Sequence, residues 1–243
     1  MIKSVRDHYA GHLGRVYSWM LGGFESALEQ GGIDLDALGL GPVARGRAVD
    51  LGAGIGMHAI PLARRGFSVV AIDTDAALLE ELSAHAAGLP IVPVVANLLD
   101  FRAHLEDAAD LILCMGDTLT HLASRADIVA LFAEVAAALG AGGHFVCTFR
   151  NYTTALSAES RFIPVRSSPD RIMTCFLEYD DQRVTVHDLL HERDGAQWRL
   201  SVSSYQKLRL DPIWVRDALM QLGLEVTEST TPSRMVRLMA RRP

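Results

Sequence analysis

The residues best able to do chemistry stand together where one apolar run ends and where the next ends. Asp50, Gly52, Ala53, Gly54 and Gly56 lie in VDLGAGIG, and Asp73 and Thr74 close the run FSVVAIDTD. Glycines at alternate positions let the backbone turn sharply and approach a ligand where side chains would collide. A carboxylate at the end of the following strand can accept both hydroxyls of one ribose, each charge-assisted bond contributing about 1.5–3 kcal/mol. The combination predicts a nucleoside-containing ligand. A dinucleotide fingerprint wants its third glycine at position 57, which is Met57, so the spacing departs from the nicotinamide pattern. Asp75 reads as the N-cap of the next helix.

Three later strand ends carry polar groups of the same promise. They are Asn97 and Leu98 in VVANLLDF, Met115 to His121 in MGDTLTH, and Arg150 to Tyr152 in FRNY. In a parallel sheet, ligands lie beyond the carboxyl ends of the strands, so these groups converge. Asp117 and His121 are each able to orient or accept a proton from an amine; the alternatives are a turn or capping residue and a satisfied histidine under the loop. RFIPVRSSPDR supplies Arg161, Arg166 and Arg171, which either neutralise an acidic ligand, Arg161 foremost, or form a charged edge that blocks strand pairing. His187 and His191 lack a third ligand at characteristic spacing, so no metal is expected.

The elements that must position these groups alternate. Strands are predicted at 47–52, 67–73, 91–95, 109–115 and 143–149, with helices at 57–65, 75–87 and 126–139, the pattern of a parallel sheet built from crossover units. From 160 to 210 short Val-, Thr-, Phe- and Tyr-rich runs with interleaved charges predict antiparallel strands inserted into that core. Pro212 starts a last helix and Gly223 ends it, before two closing strands in LEVTEST and MVRLMARR. The first 40 residues carry helical patterns at 3–20 and 22–30, with Tyr9, Tyr17 and Trp19 among the apolar positions. The chain thus divides into a cap (1–40), a core (41–150), an insertion (151–210) and a returning segment (211–243).

Composition narrows the function classes. The 243 residues are 49% hydrophobic and 21% charged, the balance of a globular protein, and the formal net charge of −6 repels a phosphate backbone. Nucleic acid and membrane partners are not expected; a small molecule is, and the oligomeric state stays open. The start, MIKSVRDHYAGHLG, offers no continuous apolar stretch for a signal peptide, so a cytoplasmic location is expected. Cys114, Cys147 and Cys175 are odd in number and set in apolar runs, which suits core hydrophobes in a reducing compartment.

Asp50 followed by G-x-G-x-G, with Asp73 beyond, resembles the cofactor site of class I S-adenosylmethionine-dependent methyltransferases. CMGDTLTHL and FRNY are similar to the strand-end loops of glycine N-methyltransferase and related small-molecule methyltransferases, with Asp117 where an asparagine is familiar. The resemblance implies a Rossmann-like α/β fold: a seven-stranded mostly parallel sheet, helices on both faces, an N-terminal helical cap and an inserted antiparallel β lid. It implies S-adenosyl-L-methionine as cofactor, held by Asp50, Gly52, Ala53, Gly54, Gly56, Asp73, Thr74, Met115 and Gly116. Asn97 and Leu98 would meet the adenine, unless Asn97 only closes an Asx turn. Tyr9 and Tyr17 either reach the methionine carboxylate or pack in the core. Asp117 and His121 would serve the acceptor, Arg150 its carboxylate, with Arg161 and Tyr152 beside it. The implied activity is methyl transfer to the nitrogen or oxygen of a small, carboxylate-bearing metabolite; the alternative is a non-catalytic module that binds the cofactor.

Overall fold

The apolar runs of the core are β-branched and continuous because they are covered on both faces, as parallel strands must be. In the computed structural model, which describes residues 2–231 and 235–243, the strands are β1 (Gly46–Leu51), β2 (Phe67–Asp73), β3 (Ile91–Val95), β4 (Ala109–Cys114), β5 (Leu139–Phe149), β6 (Phe162–Ser167), β7 (Arg171–Tyr179), β8 (Arg183–Asp194), β9 (Gln197–Leu208), β10 (Glu225–Thr230) and β11 (Val236–Arg241). Seven of them form one sheet in the order β10-β11-β5-β4-β1-β2-β3. β1 to β5 pair in parallel, while β11 is antiparallel to both β5 and β10. The crossing from β3 back past β1 to β4 opens the crevice in which a ligand can sit.

Helices α3 (Phe24–Ala37), α4 (Ala59–Arg64) and α5 (Ala76–His85) cover one face of this sheet. Leu28, Leu35, Ile60 and Leu82 pack there against Ala48, Val69 and Leu113. On the other face α6 (Arg125–Ala138) and α7 (Pro212–Met220) bury Leu131, Phe132, Val135 and Leu219 against Ile112, Phe145 and Leu238. Capping follows the residue types: Asp75 accepts from the amides of Ala77 and Leu78, and Asp211, just before Pro212, accepts from that of Ile213.

Three local features differ from the sequence reading. The helix expected over 3–20 is broken into α1 (Val5–His8), a π turn (Tyr9–Leu13), a 3₁₀ turn (Gly14–Val16) and α2 (Tyr17–Met20). Such a bulge changes the helical register locally, and it lets Tyr9 and Tyr17 face the same side. The next helix runs on to Ala37, through Gly31, where an added Cβ would overlap the Met57 carbonyl. Glycine there serves close packing and not a stop. Finally, β5 starts directly at Leu139, and Gly140, Gly142 and Gly143 lie inside it at a register shift opposite Ala109–Leu111.

Residues 162–208 form the inserted antiparallel sheet, ordered β6-β7-β8-β9. Side chains alternate between its faces. The inner face carries Met173, Cys175, Leu177, Val186, Asp188, Leu190, Ser203, Tyr205 and Lys207, and it packs on the N-terminal cap and on Tyr152.

Candidate active site

Beyond the carboxyl ends of the parallel strands lies a cavity of about 310 Å³, walled by the β1–α4 loop, the tips of β2 and β4, the 3₁₀ turn Leu98–His104 and the cap. It brings together Tyr9, Tyr17, Gly52, Ala53, Gly54, Asp73, Thr74, Asn97, Leu98, Met115, Gly116 and His121. All of these were singled out from sequence. Asp50 and Gly56 stand behind the loop: Asp50 is buried, and a Cβ on Gly56 would press into Leu82 at 2.8 Å.

The floor is bare peptide. Gly52, Gly54 and Gly56 all have positive φ, and a Cβ on Gly52 would lie 2.6 Å from the Thr118 side chain. Asp73 ties the loop to β2, because one carboxylate oxygen accepts from the Gly54 amide at 2.8 Å and the other from the Asp75 amide at 2.9 Å. Asp73 lines the cavity and makes no ion pair among the described residues. Burial raises its pKa, with the amide bonds from Asp75, Gly54 and Thr74 pulling the other way. Burial also pushes the Asp50 carboxyl up to about 6 and the Tyr17 phenol up to about 12, so Tyr17 offers a neutral hydroxyl. The Tyr17 ring stands 3.5 Å from where a Gly54 Cβ would be. Asn97 closes an Asx turn, accepting from the Leu99 amide at 3.0 Å, and it also lines the cavity.

The tip of β4 is built differently. Gly116 and Asp117 both adopt left-handed backbone, φ 70 and 79, in a tight turn pinned by the Thr148 hydroxyl, which accepts from the Gly116 amide at 2.8 Å. Asp117 is buried and committed. Its Oδ1 accepts from the Arg150 amide at 2.9 Å, and its Oδ2 takes the Lys207 ammonium at 2.6 Å and the Tyr152 hydroxyl at 3.1 Å. The sequence reading of Asp117 as a proton-handling group therefore meets a carboxylate already saturated by the protein, outside the cavity wall. Burial alone would lower the Lys207 pKa, but Asp117, Tyr205 and Tyr152 more than reverse this and hold it charged. His121 does face the cavity, with Nε2 buried and without a partner; burial, then the Lys207 charge, drives its pKa down to about 3, so the ring is neutral.

The three substrate-side expectations fall outside the cavity. Tyr152 is buried under the lid with its hydroxyl on Asp117. The Arg150 guanidinium is exposed and makes no ion pair or hydrogen bond among the described residues. Arg161 is half-buried, its guanidinium 4.8 Å from the centre of the Phe176 ring.

Lys207 was missed in the sequence, although SYQKLRL alternates so that Tyr205 and Lys207 share a face. A second missed link joins cap to lid: His8 Nε2 lies 2.9 Å from Asp188 Oδ2, His8 Nδ1 lies 2.9 Å from the Ser203 hydroxyl, and the Cys175 thiol donates to Asp188 Oδ1 at 2.8 Å. Burial holds that thiol protonated, so it is no nucleophile. Among the described residues no cluster of three or more metal-ligating side chains occurs, and no helix is long and apolar enough to cross a membrane.

Residues 48–143 match the family described as a methyltransferase domain. No curated protein sequence matches the chain significantly. Among solved structures, DesVI from Streptomyces venezuelae superposes with a TM-score of 0.77 at 15% identity, over 95% of this chain and 98% of that one. An S-adenosylmethionine-dependent methyltransferase from Clostridium acetobutylicum gives 0.72 at 15% identity, over 87% and 89%. The sugar N-methyltransferase KedS8 from Streptoalloteichus gives 0.70 at 17% identity, over 89% and 87%. Likeness at these identities carries the fold, and the family match carries the domain. Residues 48–143 thus match the methyltransferase-domain family, and the chain shares the fold of these solved structures.

Proposed function

We propose that the chain transfers a methyl group from S-adenosyl-L-methionine to the nitrogen, or second to the oxygen, of a small carboxylate-bearing metabolite. The observation that carries this reading is the cradle itself: a loop of glycines at positive φ lining the cavity, with the Asp73 carboxylate on the Gly54 amide and the Tyr17 ring and hydroxyl beside Gly54. Those groups fit a ribose and an amino-acid end, and the Leu98 amide with the Asn97 oxygen fits a purine edge. When bound, the cofactor supplies a methyl on a sulfonium, which passes by in-line displacement to the acceptor.

The protein's part is then mostly placement, since aligning two bound reactants can remove about 7–11 kcal/mol of a barrier. Neutral His121 accepts a hydrogen bond from the acceptor's N–H and so turns the nitrogen lone pair toward the methyl; with a pKa near 3 it orients and does not store a proton. Asp117 acts through others: it holds Lys207, Tyr152 and the Arg150 backbone, and so fixes the strand tips on which the acceptor rests. Arg150, whose side chain is exposed and makes no ion pair among the described residues, takes the acceptor's carboxylate.

Isothermal titration with S-adenosylhomocysteine tests the cofactor half; absence of binding would end this reading. Mass-spectrometric assay of methyl transfer over a panel of amino acids, amino sugars and hydroxy acids tests the acceptor half. On a turned-over acceptor, Arg150→Ala should raise KM about tenfold and leave S-adenosylhomocysteine affinity unchanged, the mark of a lost ground-state contact. Equal loss at both steps would contradict the assignment of Arg150.

A further inference from the structure

We propose, resting on the methyl-transfer reading above, that Arg6 of the cap is a specificity-determining residue of the acceptor site. Its guanidinium meets the acceptor's carboxylate inside the cavity, with Arg150 as an outer cation. Arg6 is the one arginine or lysine among the described residues that line the cavity. Its guanidinium makes no ion pair or hydrogen bond among the described residues. The chain carries a net charge of −6 and the cavity presents the Asp73 carboxylate, so an anionic acceptor is repelled unless a local cation receives it. Asp127, also in the wall, leaves that cation free: it forms no ion pair with Arg6, and its carboxylate accepts the Ser124 hydroxyl at 2.9 Å.

The path of the cap decides which end of the cavity Arg6 serves. The Lys3 amide donates to the Ser204 carbonyl of β9 at 2.8 Å, and the Ser18 hydroxyl donates to Glu81 of α5, so the cap crosses from the lid to α5. Tyr17 belongs to the α5 end, beside Gly54, where the amino-acid end of the cofactor is placed. Arg6 belongs to the lid end. Its neighbour Val5 packs against the cluster of Tyr152 and Tyr205, and Ala123, another wall residue, accepts from the Arg183 guanidinium of the lid at 2.6 Å. The cofactor's own carboxylate therefore does not use this guanidinium, and a second anion does. Arg6 and Tyr9 are three residues apart in helical backbone and share one face, and the Tyr9 ring lies 6.0 Å from that of His121. A carboxylate on Arg6 thus keeps the amine of the same small molecule on the side of His121. The segment is held in advance: the Ser4 hydroxyl accepts from the Asp7 amide at 3.1 Å, and His8 is fixed by Asp188 and Ser203. Such preorganisation lowers the cost of binding.

A mass-spectrometric assay of methyl transfer that pairs each member of an amino-acid panel with its carboxamide tests the assignment. The wild type should favour the best acid over its amide by about tenfold or more in kcat/KM, the range of one charge-assisted hydrogen bond. Arg6→Ala should raise that acid's KM about tenfold, with kcat, the KM of the amide and S-adenosylhomocysteine affinity nearly unchanged. Arg6→Lys should restore part of the preference. Arg6 is exposed, so neither variant endangers folding. An amide used as well as its acid, an Arg6→Ala protein with the wild-type preference, or a wild type that binds S-adenosylhomocysteine but methylates no amino acid would overturn the proposal. So would a fall in S-adenosylhomocysteine affinity in Arg6→Ala, which would put the guanidinium on the cofactor. A wild type that binds no S-adenosylhomocysteine ends the methyl-transfer reading itself, and the role of Arg6 with it.

Discussion

The two halves of the site are made in opposite ways. On the side of β1 and β2 the surface lining the cavity is backbone and one carboxylate, all within residues 50–74, and that carboxylate is held by backbone amides alone, with no ion pair among the described residues. On the side of β4, β5 and the lid, the polar groups are bound to one another: Asp117 to Lys207 and Tyr152, His8 to Asp188 and Ser203. The first half is a preformed receptor for a ligand. The second is a set of buried struts whose purpose is to hold three remote segments, cap, strand tips and lid, in one geometry. Buried polar groups must find partners, and where the ligand does not supply them the protein does.

Breaking each half should give a different signature. Removing Asp73 strikes the receptor: Asp73→Ala should weaken S-adenosylhomocysteine binding at least a hundredfold, two charge-assisted bonds being worth about 3–6 kcal/mol together, while the loss of its acceptors for the Gly54 and Asp75 amides also lowers the urea midpoint. Titration calorimetry and a denaturation curve on the same sample separate the two. Removing Lys207 strikes a strut. Lys207→Met leaves the Asp117 carboxylate buried without its cation and should lower stability by about 3–5 kcal/mol, read from urea unfolding. If Lys207→Met instead unfolds like the wild type and only loses cofactor, the division drawn between the halves is wrong.

A third experiment sharpens the contrast through pH. The folded Asp50 carboxyl sits near 6, above the unfolded value of about 3.9. Its contribution is thus fully present below about pH 4 and lost as pH rises to about 6. His121 behaves oppositely: its folded value near 3 lies below the unfolded 6.5, so its contribution is present above about pH 6.5 and lost as pH falls. Urea midpoints between pH 4 and 7 should therefore show Asp50→Asn gaining on the wild type as pH rises, by on the order of 3 kcal/mol for a two-unit shift. His121→Gln should gain on the wild type as pH falls. Parallel curves for wild type and Asp50→Asn would mean that Asp50 is not buried as a carboxylate behind the glycine loop.

How much of this could be read in advance follows from the same contrast. The cavity residues from Asp73 to Gly116 were legible because each is the last residue of a strand or lies just past it, and a strand end in a parallel sheet has a fixed address. Asp117 was assigned a free carboxylate because its partner Lys207 lies ninety positions away, and no local spacing announces such a pair. Tyr152 was read toward a substrate for the same reason, its hydroxyl going to Asp117 instead. The break in the N-terminal helix left no more than Gly11 and Gly14 as a trace, yet it decides that Tyr9 and Tyr17 share the cavity.

By itself, then, the amino-acid order determined the alternation of strands and helices, the glycine turn, the acid at the tip of β2 and the inserted antiparallel segment, because each is a local pattern read against a two- or 3.6-residue period. Only the tertiary structure decided which carboxylates remain free and which are consumed. That outcome depends on long-range approach and on the loss of water around buried charge, and no sequence period encodes either.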